Sequence, residues 1–445
     1  MTQALRDWYQ TRFAIFEKGL NGEARHPLHA VRKAAIQRFG EMGFPTTRDE
    51  EWRFTNVAPI GKQEFTPVLR YDGQGISRSD IQRFTFGGVT PRKLVFVNGH
   101  YAPELSSLAA LPEGVKVGSL REFLRTEGDL VSRYLSKHVR FDENAFTALN
   151  TAFLLDGAFI SVPDGVVLED AIHLLFVASE LETPFLSAPR NLIVAGNRSG
   201  VSVVESYVGL GANVYLTSAV TEFIVGEHAV VEHDKLQMEG VRAYHVGTTH
   251  VHQSGHSTVT SNAIALGGRI CRNNVTAVLD GEGSECTLNG LSVATGEQLI
   301  DNHTTIDHAK PNCASHELYK AILDGQSRGV FNGKIFVRKD AQKTDAKQTN
   351  KTLVLSDEAT IDTKPQLEIF ADDVKCTHGA TVGQLDEDQV FYLRSRGLDE
   401  ITARDILTFA FATDVINRVH VDPLRDQLDA MLRQRLRQGR VASEV

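Results

Sequence analysis

Apolar and polar positions recur in two rhythms along this chain, and the rhythm changes twice. Near the start, Trp8, Tyr9, Phe13, Phe16 and Leu20 return at spacings of three and four, the period of a helix that buries one face. The helical pattern extends to about residue 60. Between Tyr71 and Gly128 it becomes mixed. Lys93-Leu-Val-Phe-Val-Asn-Gly-His100 predicts a strand that ends in an Asn98-Gly99 hairpin turn, and Ser119 ahead of Leu-Arg-Glu-Phe-Leu predicts a capped helix start.

From Ala152 the pattern shifts to short β-branched runs separated by Gly, Asn and Asp, and this persists for more than 200 residues. Ala158-Phe-Ile-Ser-Val-Pro, Asn191-Leu-Ile-Val-Ala-Gly, Val201-Ser-Val-Val-Glu-Ser-Tyr-Val-Gly and Ala229-Val-Val-Glu-His are examples. So many short strands without intervening helices exclude a doubly wound α/β fold and exceed what one sandwich holds. A solenoid or parallel β-helix stores them in one continuous core, although no strict repeat period is visible. Past Gln384 the helical period returns. Gly397-Leu-Asp399 predicts a turn and N-cap before Ile401, Ile406, Leu407, Phe409, Phe411, Val415, Ile416 and Val419. Asp422-Pro423 predicts a second helix start, followed by a stripe of Leu424, Leu428, Met431, Leu432 and Leu436. Arg433, Arg435, Arg437 and Arg440 complement the end of that helix. The expected organisation is a mixed helical domain over 1–151, a β-helix core over 152–384 and a helical domain over 385–445.

Composition narrows the function classes. The 445 residues are about three times the commonest domain size. The nearly apolar runs Ala171–Ala178 and Leu407–Ala412 are far shorter than the roughly 20 residues of a membrane-crossing helix. A net charge of −9 offers no footprint for a nucleic-acid backbone. Met1 to Gly19 mixes Arg6, Asp7, Arg12, Glu17 and Lys18 with its apolar residues, so no export signal is expected, and the sequons at Asn197, Asn274, Asn302 and Asn350 are read as chance. Cys271, Cys286, Cys313 and Cys376 never form CxxC, which argues against a disulfide framework or a self-contained zinc site. The expected compartment is the reducing cytoplasm.

Several segments bear on chemistry. Gly329-Val-Phe-Asn-Gly-Lys334 superficially resembles a phosphate loop, but its spacing fails and Ile335 stands where Ser or Thr is required. No GxSxG elbow occurs. His250-Val-His252 places two imidazoles on one strand face, with His245 and His256 nearby in sequence. No adjacent acid or thiol completes a metal site there, and His303 and His308 beside Asp301 and Asp307 are a weaker cluster. In Asp372-Asp-Val-Lys-Cys376-Thr-His378-Gly-Ala-Thr-Val-Gly, a strand would point Cys376 and His378 to one side. This supplies at most two ligands for a metal or iron–sulfur cluster, so the rest must come from elsewhere, such as another chain. The alternative is a buried thiol beside a hydrogen-bonded imidazole, because Val374, Cys376, His378, Ala380 and Val382 share a parity and could all face inward.

Five blocks in this region, Ser327-Arg-Gly-Val-Phe-Asn-Gly-Lys-Ile, Gln342-Lys-Thr-Asp-Ala-Lys-Gln-Thr-Asn350, Thr363-Lys-Pro-Gln-Leu-Glu-Ile, Asp372-Asp-Val-Lys-Cys-Thr-His-Gly-Ala and Phe391-Tyr-Leu-Arg-Ser-Arg-Gly397, together resemble the SufB/SufD family of iron–sulfur cluster assembly proteins. Weaker likeness covers Glu50-Glu-Trp-Arg-Phe-Thr-Asn56, Asn144-Ala-Phe-Thr-Ala-Leu-Asn-Thr-Ala-Phe and Pro163-Asp-Gly-Val-Val-Leu-Glu. The likeness is to the SufD branch, since Leu393 stands where the SufB branch carries a cysteine and no cysteine precedes Cys271. The resemblance implies a right-handed parallel β-helix between helical ends, paired with a SufB-like paralogue through the β-helix and with a SufC-like ABC ATPase through the C-terminal helices. It implies a non-catalytic scaffold that holds a nascent iron–sulfur cluster transiently at the SufB–SufD interface, with His378 as a cluster ligand or an aid to assembly and Cys376 in support of the same site. A homodimer of the isolated chain is compatible with it. Two other readings compete. A β-helix enzyme acting on polysaccharide needs a same-face carboxylate pair, which Asp372-Asp373 does not form, and a cofactor-free dimerisation module needs no site.

Overall fold

The computed structural model describes residues 2–441 except 72, 74 and 87–91, and for 435–441 only the helical backbone. Arg435, Leu436, Arg437 and Arg440 therefore lie outside the described side chains. From Ala158–Val162 to Lys375–Gly383 the chain winds through about eight coils. Each coil gives one strand to each of two sheets, and successive coils pair parallel and in register. One column runs His245, Cys271, Ile300, Gly329, Ile361. The fold is a parallel β-helix, as the strand-rich texture predicts.

A ladder of left-handed corners holds the coils in step. Arg198, His228, His256, Gly283, Asn312 and Lys343 all have φ between 53° and 69°. Each donates its backbone N–H to the next coil's corner, for example His228 to Gly255 O at 3.0 Å and Asn312 to Gln342 O at 2.9 Å. Positive φ costs a non-glycine residue energy, and here the donated hydrogen bonds satisfy corner groups that would otherwise be left unpaired.

Alternate residues of both sheets fill the lumen. Val203, Val231, Val259, Leu288 and Tyr319 from one sheet meet Phe223, Val251, Val275, Ile306 and Phe331 from the other. At about 1.5–3 kcal/mol for each large apolar side chain buried, this column is the main stabilising term. The outer face of the first sheet is covered by the helices Gln3–Gly19, Leu28–Met42 and Ala145–Ala152, through Tyr9, Phe13, Phe16, Phe39 and Phe146 against Leu216, Tyr244 and Ile270. The second sheet carries the C-terminal helices Glu400–Ile416 and Asp422–Val441, whose Val415, Ile416, Leu424, Leu428 and Leu432 pack on Leu236, Ile264, Leu291 and Leu318. Ser119 and Asp399 cap their helices as expected, accepting from Glu122 N and Thr402 N. The Asn98-Gly99 turn joins Arg92–Val97 to His100–Tyr101 as an antiparallel hairpin.

The two ends of the β-helix differ. At the first coil, Lys116–Ser119 pairs antiparallel with Ala158–Val162, and Arg92–Val97 pairs with Ile172–Ala178. At the other end, Thr360–Ile369 and Lys375–Gly383 each pair on one edge only. Pro365, which has no N–H to donate, lies in one of these end strands, where such a residue is tolerated.

Candidate functional site

The open end is built from the lumen-facing side of the last coil. Register places His378 at the top of a column that descends through Gln348, Glu317, Leu288 and Ser261. Cys376 crowns a second column of Ala346, Ser315, Cys286 and Val259. Leu288, Cys286 and Val259 belong to the lumen core, so Cys376 and His378 do share the inward parity that their spacing predicts. They are not covered, however, because no coil of the described residues lies above them. His378 is exposed and Cys376 half-buried, against full burial of Cys271, Cys286 and Cys313. The opposite strand contributes Ile361, Thr363, Pro365, Leu367 and Ile369 on the same parity, as partners of Gly329, Phe331, Gly333, Ile335 and Val337. This end ring therefore carries one thiol, one imidazole and otherwise small or apolar groups.

Cys376 packs beside Ala346 and Leu367, and burial pushes its thiol above the ordinary 9.0 while the backbone of Ala346 opposes the rise. At neutral pH it is a thiol, so a metal or a partner's cation must displace its proton before it can ligate. Asp373, next to the site, is ion-paired with Lys343.

Below the ring lie Glu317, which no motif marks, and Gln348, which the sequence carries within the Gln342–Asn350 block but without a role. Glu317 and Gln348 are both almost fully buried, and Gln348 Nε2 donates to Glu317 Oε2 at 2.7 Å. Burial pushes the Glu317 carboxyl up to about 7. Their signal in sequence would have been the coil repeat, but the column advances by 28, 27, 29, 31 and 30 residues from His233 to His378, so no single period exposes it.

The other candidates separate. His250 and His252 do share the outer face, where His138 lies over His252 with ring centroids 4.0 Å apart. His245 faces the lumen instead, its Nδ1 2.7 Å from Glu239, and His256 stacks on His228 at a corner. The grouping suggested by sequence is thus corrected, because the period of two sends odd and even positions to opposite faces. His303 contacts Asp301 and Glu51 outside, while His308 bonds Ser315 at 2.9 Å. Among the described residues no group of three or more His, Cys, Asp or Glu is placed to hold a metal ion. Gly329–Lys334 is the middle of a strand, with Lys334 3.0 Å from Glu368, and so has no phosphate-loop geometry.

Residues 176–411 match the family described as "SUF system FeS cluster assembly, SufBD core domain", and residues 3–174 match the "SufBD protein N-terminal region". The chain belongs to the SufB/SufD family. It is 34% identical over 405 residues to an iron–sulfur cluster assembly SufBD family protein of Synechocystis, covering 89% of this chain and 88% of that one. It is 30% identical over 440 residues to the iron–sulfur cluster assembly protein SufD of Escherichia coli, covering 98% of each. With SufD of Bacillus subtilis it shares 27% over 427 residues, 92% and 94% of the two chains. The resemblance to the SufD branch and the role in iron–sulfur cluster assembly are thereby shown. Among the described residues no helix is long and apolar enough to cross a membrane.

Proposed function

We propose that this chain is the non-catalytic scaffold partner in a cytoplasmic complex with a SufB-like paralogue and a SufC-like ABC ATPase, and that the open end of its β-helix is one half of a shared cluster-assembly site. The observation that carries this reading is the ring of the last coil, where the single half-exposed thiol, Cys376, stands two residues from the exposed imidazole of His378. Two ligands are too few for an iron–sulfur cluster, which takes four, so the partner supplies the remainder. An interface also suits a cargo that must be released, since a ligand set divided between chains is broken by moving one against the other. His378 ligates the nascent cluster, and Cys376 supports it once deprotonated.

The parts divide as 1–151, which clasps the first sheet, 152–384, which carries the partner contact and the site, and 385–445, which carries the ATPase contact. Ile406 is exposed on Glu400–Ile416 and lines a groove of about 660 Å³ with Phe409 and Arg433; Ile401 on the same helix, and Phe391 and Tyr392 on the helix Glu387–Ser395, are exposed as well. Large exposed apolar groups of this kind mark an interaction surface. The same unpaired strand edges that meet the paralogue allow the isolated chain to form a homodimer.

The test is co-expression of the three components with variants of this chain. His378→Ala is expected to abolish iron and sulfide loading of the purified complex while leaving the complex assembled, and Cys376→Ser to lower loading partially. Full loading of the His378→Ala complex would remove His378 from the ligand set.

A further inference from the structure

The lumen directly beneath His378 holds an unusual arrangement. Gln348 is 2% exposed, and its Oε1 has no hydrogen-bond partner, although Nε2 is committed to Glu317. Leaving a buried carbonyl oxygen unpaired costs about 1–3 kcal/mol. Asn350, two residues on along the same strand and facing the same side, is satisfied at both ends, donating to Tyr319 O and accepting from Thr363 Oγ1. Thr352 Oγ1, on the same face, is also unpartnered, but the rung above it is Val382, which has no side-chain N–H or O–H to share, whereas the rung above Gln348 is His378.

Space has been left for this amide. A Cβ on Gly333, in the facing sheet, would come within 2.4 Å of Gln348 Nε2, so a larger residue there would push the amide from this position. Glu317 also restricts its orientation. As a carboxylate Glu317 can only accept, and accepting the Gln348 N–H turns the amide oxygen away from it; once protonated it can donate as well and no longer fixes the amide. The next rung in that column is His378. In-register parallel strands bring same-face neighbours within about 5 Å of one another.

We propose that Glu317 and Gln348 are positioning residues for His378: Glu317 fixes the amide, Gln348 Oε1 accepts the ring N–H of His378, and the other ring nitrogen is left with its lone pair toward the cluster. A neutral imidazole has one N–H and one lone pair, and a carbonyl that holds the N–H selects the tautomer able to ligate. This inference rests on the reading of His378 as a cluster ligand. It adds that a turn of the exposed His378 ring onto the free Oε1, a bond this structure does not make, would prepare the ligand from inside this chain.

The test separates the two. In the isolated full-length chain, ¹⁵N-labelled histidine spectra, with the His378 signals assigned by their loss in His378→Ala, report the ring tautomer. One tautomer is expected to dominate in the parent, and Gln348→Leu is expected to shift the ratio several-fold toward the other. In the three-component complex the same variant should lower cluster loading about tenfold, the low end of what loss of an outer-shell partner costs a metal site. An unchanged His378 tautomer ratio in Gln348→Leu would overturn the inference whatever the loading. Normal loading in His378→Ala would overturn the ligand reading and leave the tautomer result to stand alone. Should Gln348→Leu fail to fold, the near-isosteric Glu317→Gln carries the test. An amide at 317 donates as well as accepts, so Gln348 loses its preferred orientation and the tautomer ratio should again move. No movement in that variant counts against the proposal equally.

Discussion

Burial in the lumen pushes the Glu317 carboxyl from its ordinary 4.5 up to about 7, and this residue therefore links stability to pH. The unfolded chain ionises Glu317 first, so it holds fewer protons than the folded chain between these values, and stability falls as pH rises through that window. Above pH 7 the cost levels off at about 3 kcal/mol. Glu317→Gln should accordingly raise the thermal midpoint at pH 8 by more than at pH 5, with the difference between variant and parent growing between the two. A pH-independent difference would show that Glu317 is not buried as described. Arg190 and Glu222 form a fully buried ion pair at 2.6 Å. Glu222 also accepts from Ser136 N, and Arg190 reaches Asn150 of the Ala145–Ala152 helix. Arg190→Met strands a buried carboxylate and should cost about 3–5 kcal/mol in denaturant unfolding, most of it recovered by adding Glu222→Leu.

At the scale of elements, the corners decide how closely coils can stack. A Cβ on Gly281 would lie 1.9 Å from Gly255 N and 2.3 Å from Ser254 C, and backbone cannot move aside as a side chain can. Gly281→Ala should destabilise by at least the 1–3 kcal/mol usual for overpacking, read as a lowered thermal midpoint. Gly379→Ala, where a Cβ meets nothing within 4 Å, is the matched control and should be silent. The C-terminal helices are fastened by one buried cation. Lys320 is nearly buried, with Nζ 2.8 Å from Asp414 and 3.0 Å from Phe411 O. Lys320→Met keeps the apolar stem and removes these bonds. Limited proteolysis should then cut within 385–441 sooner, while the β-helix remains resistant.

For the whole molecule, the unequal ends of the β-helix set its behaviour. One end is closed by Lys116–Ser119 and Arg92–Val97, and the other presents strand edges and a ring of small and apolar side chains. Val382, 49% exposed on that ring, should tolerate lysine in the folded chain. Val382→Lys is expected to abolish concentration-dependent self-association of the isolated chain in sedimentation velocity and to weaken paralogue capture, since a charge on the edge blocks strand pairing. Retained association would place the interface elsewhere.

What the sequence determined by itself was local. Periods of three and four against two separate helix from strand, Ser119 and Asp399 announce their caps, and the spacing of Cys376 and His378 puts them on one side of a strand. These follow from dihedral geometry within a few residues. The motif blocks added the family, because they preserve chemistry irrespective of coil length. Only the tertiary structure decided which residue lies above which. Coils of 27 to 31 residues hide the column of Glu317, Gln348 and His378 from any fixed period, and parity alone separates His245 from His250. Inward parity usually means burial, and it would have buried Cys376 and His378. They are accessible because theirs is the last coil, and that depends on what is absent above them, which no local pattern encodes.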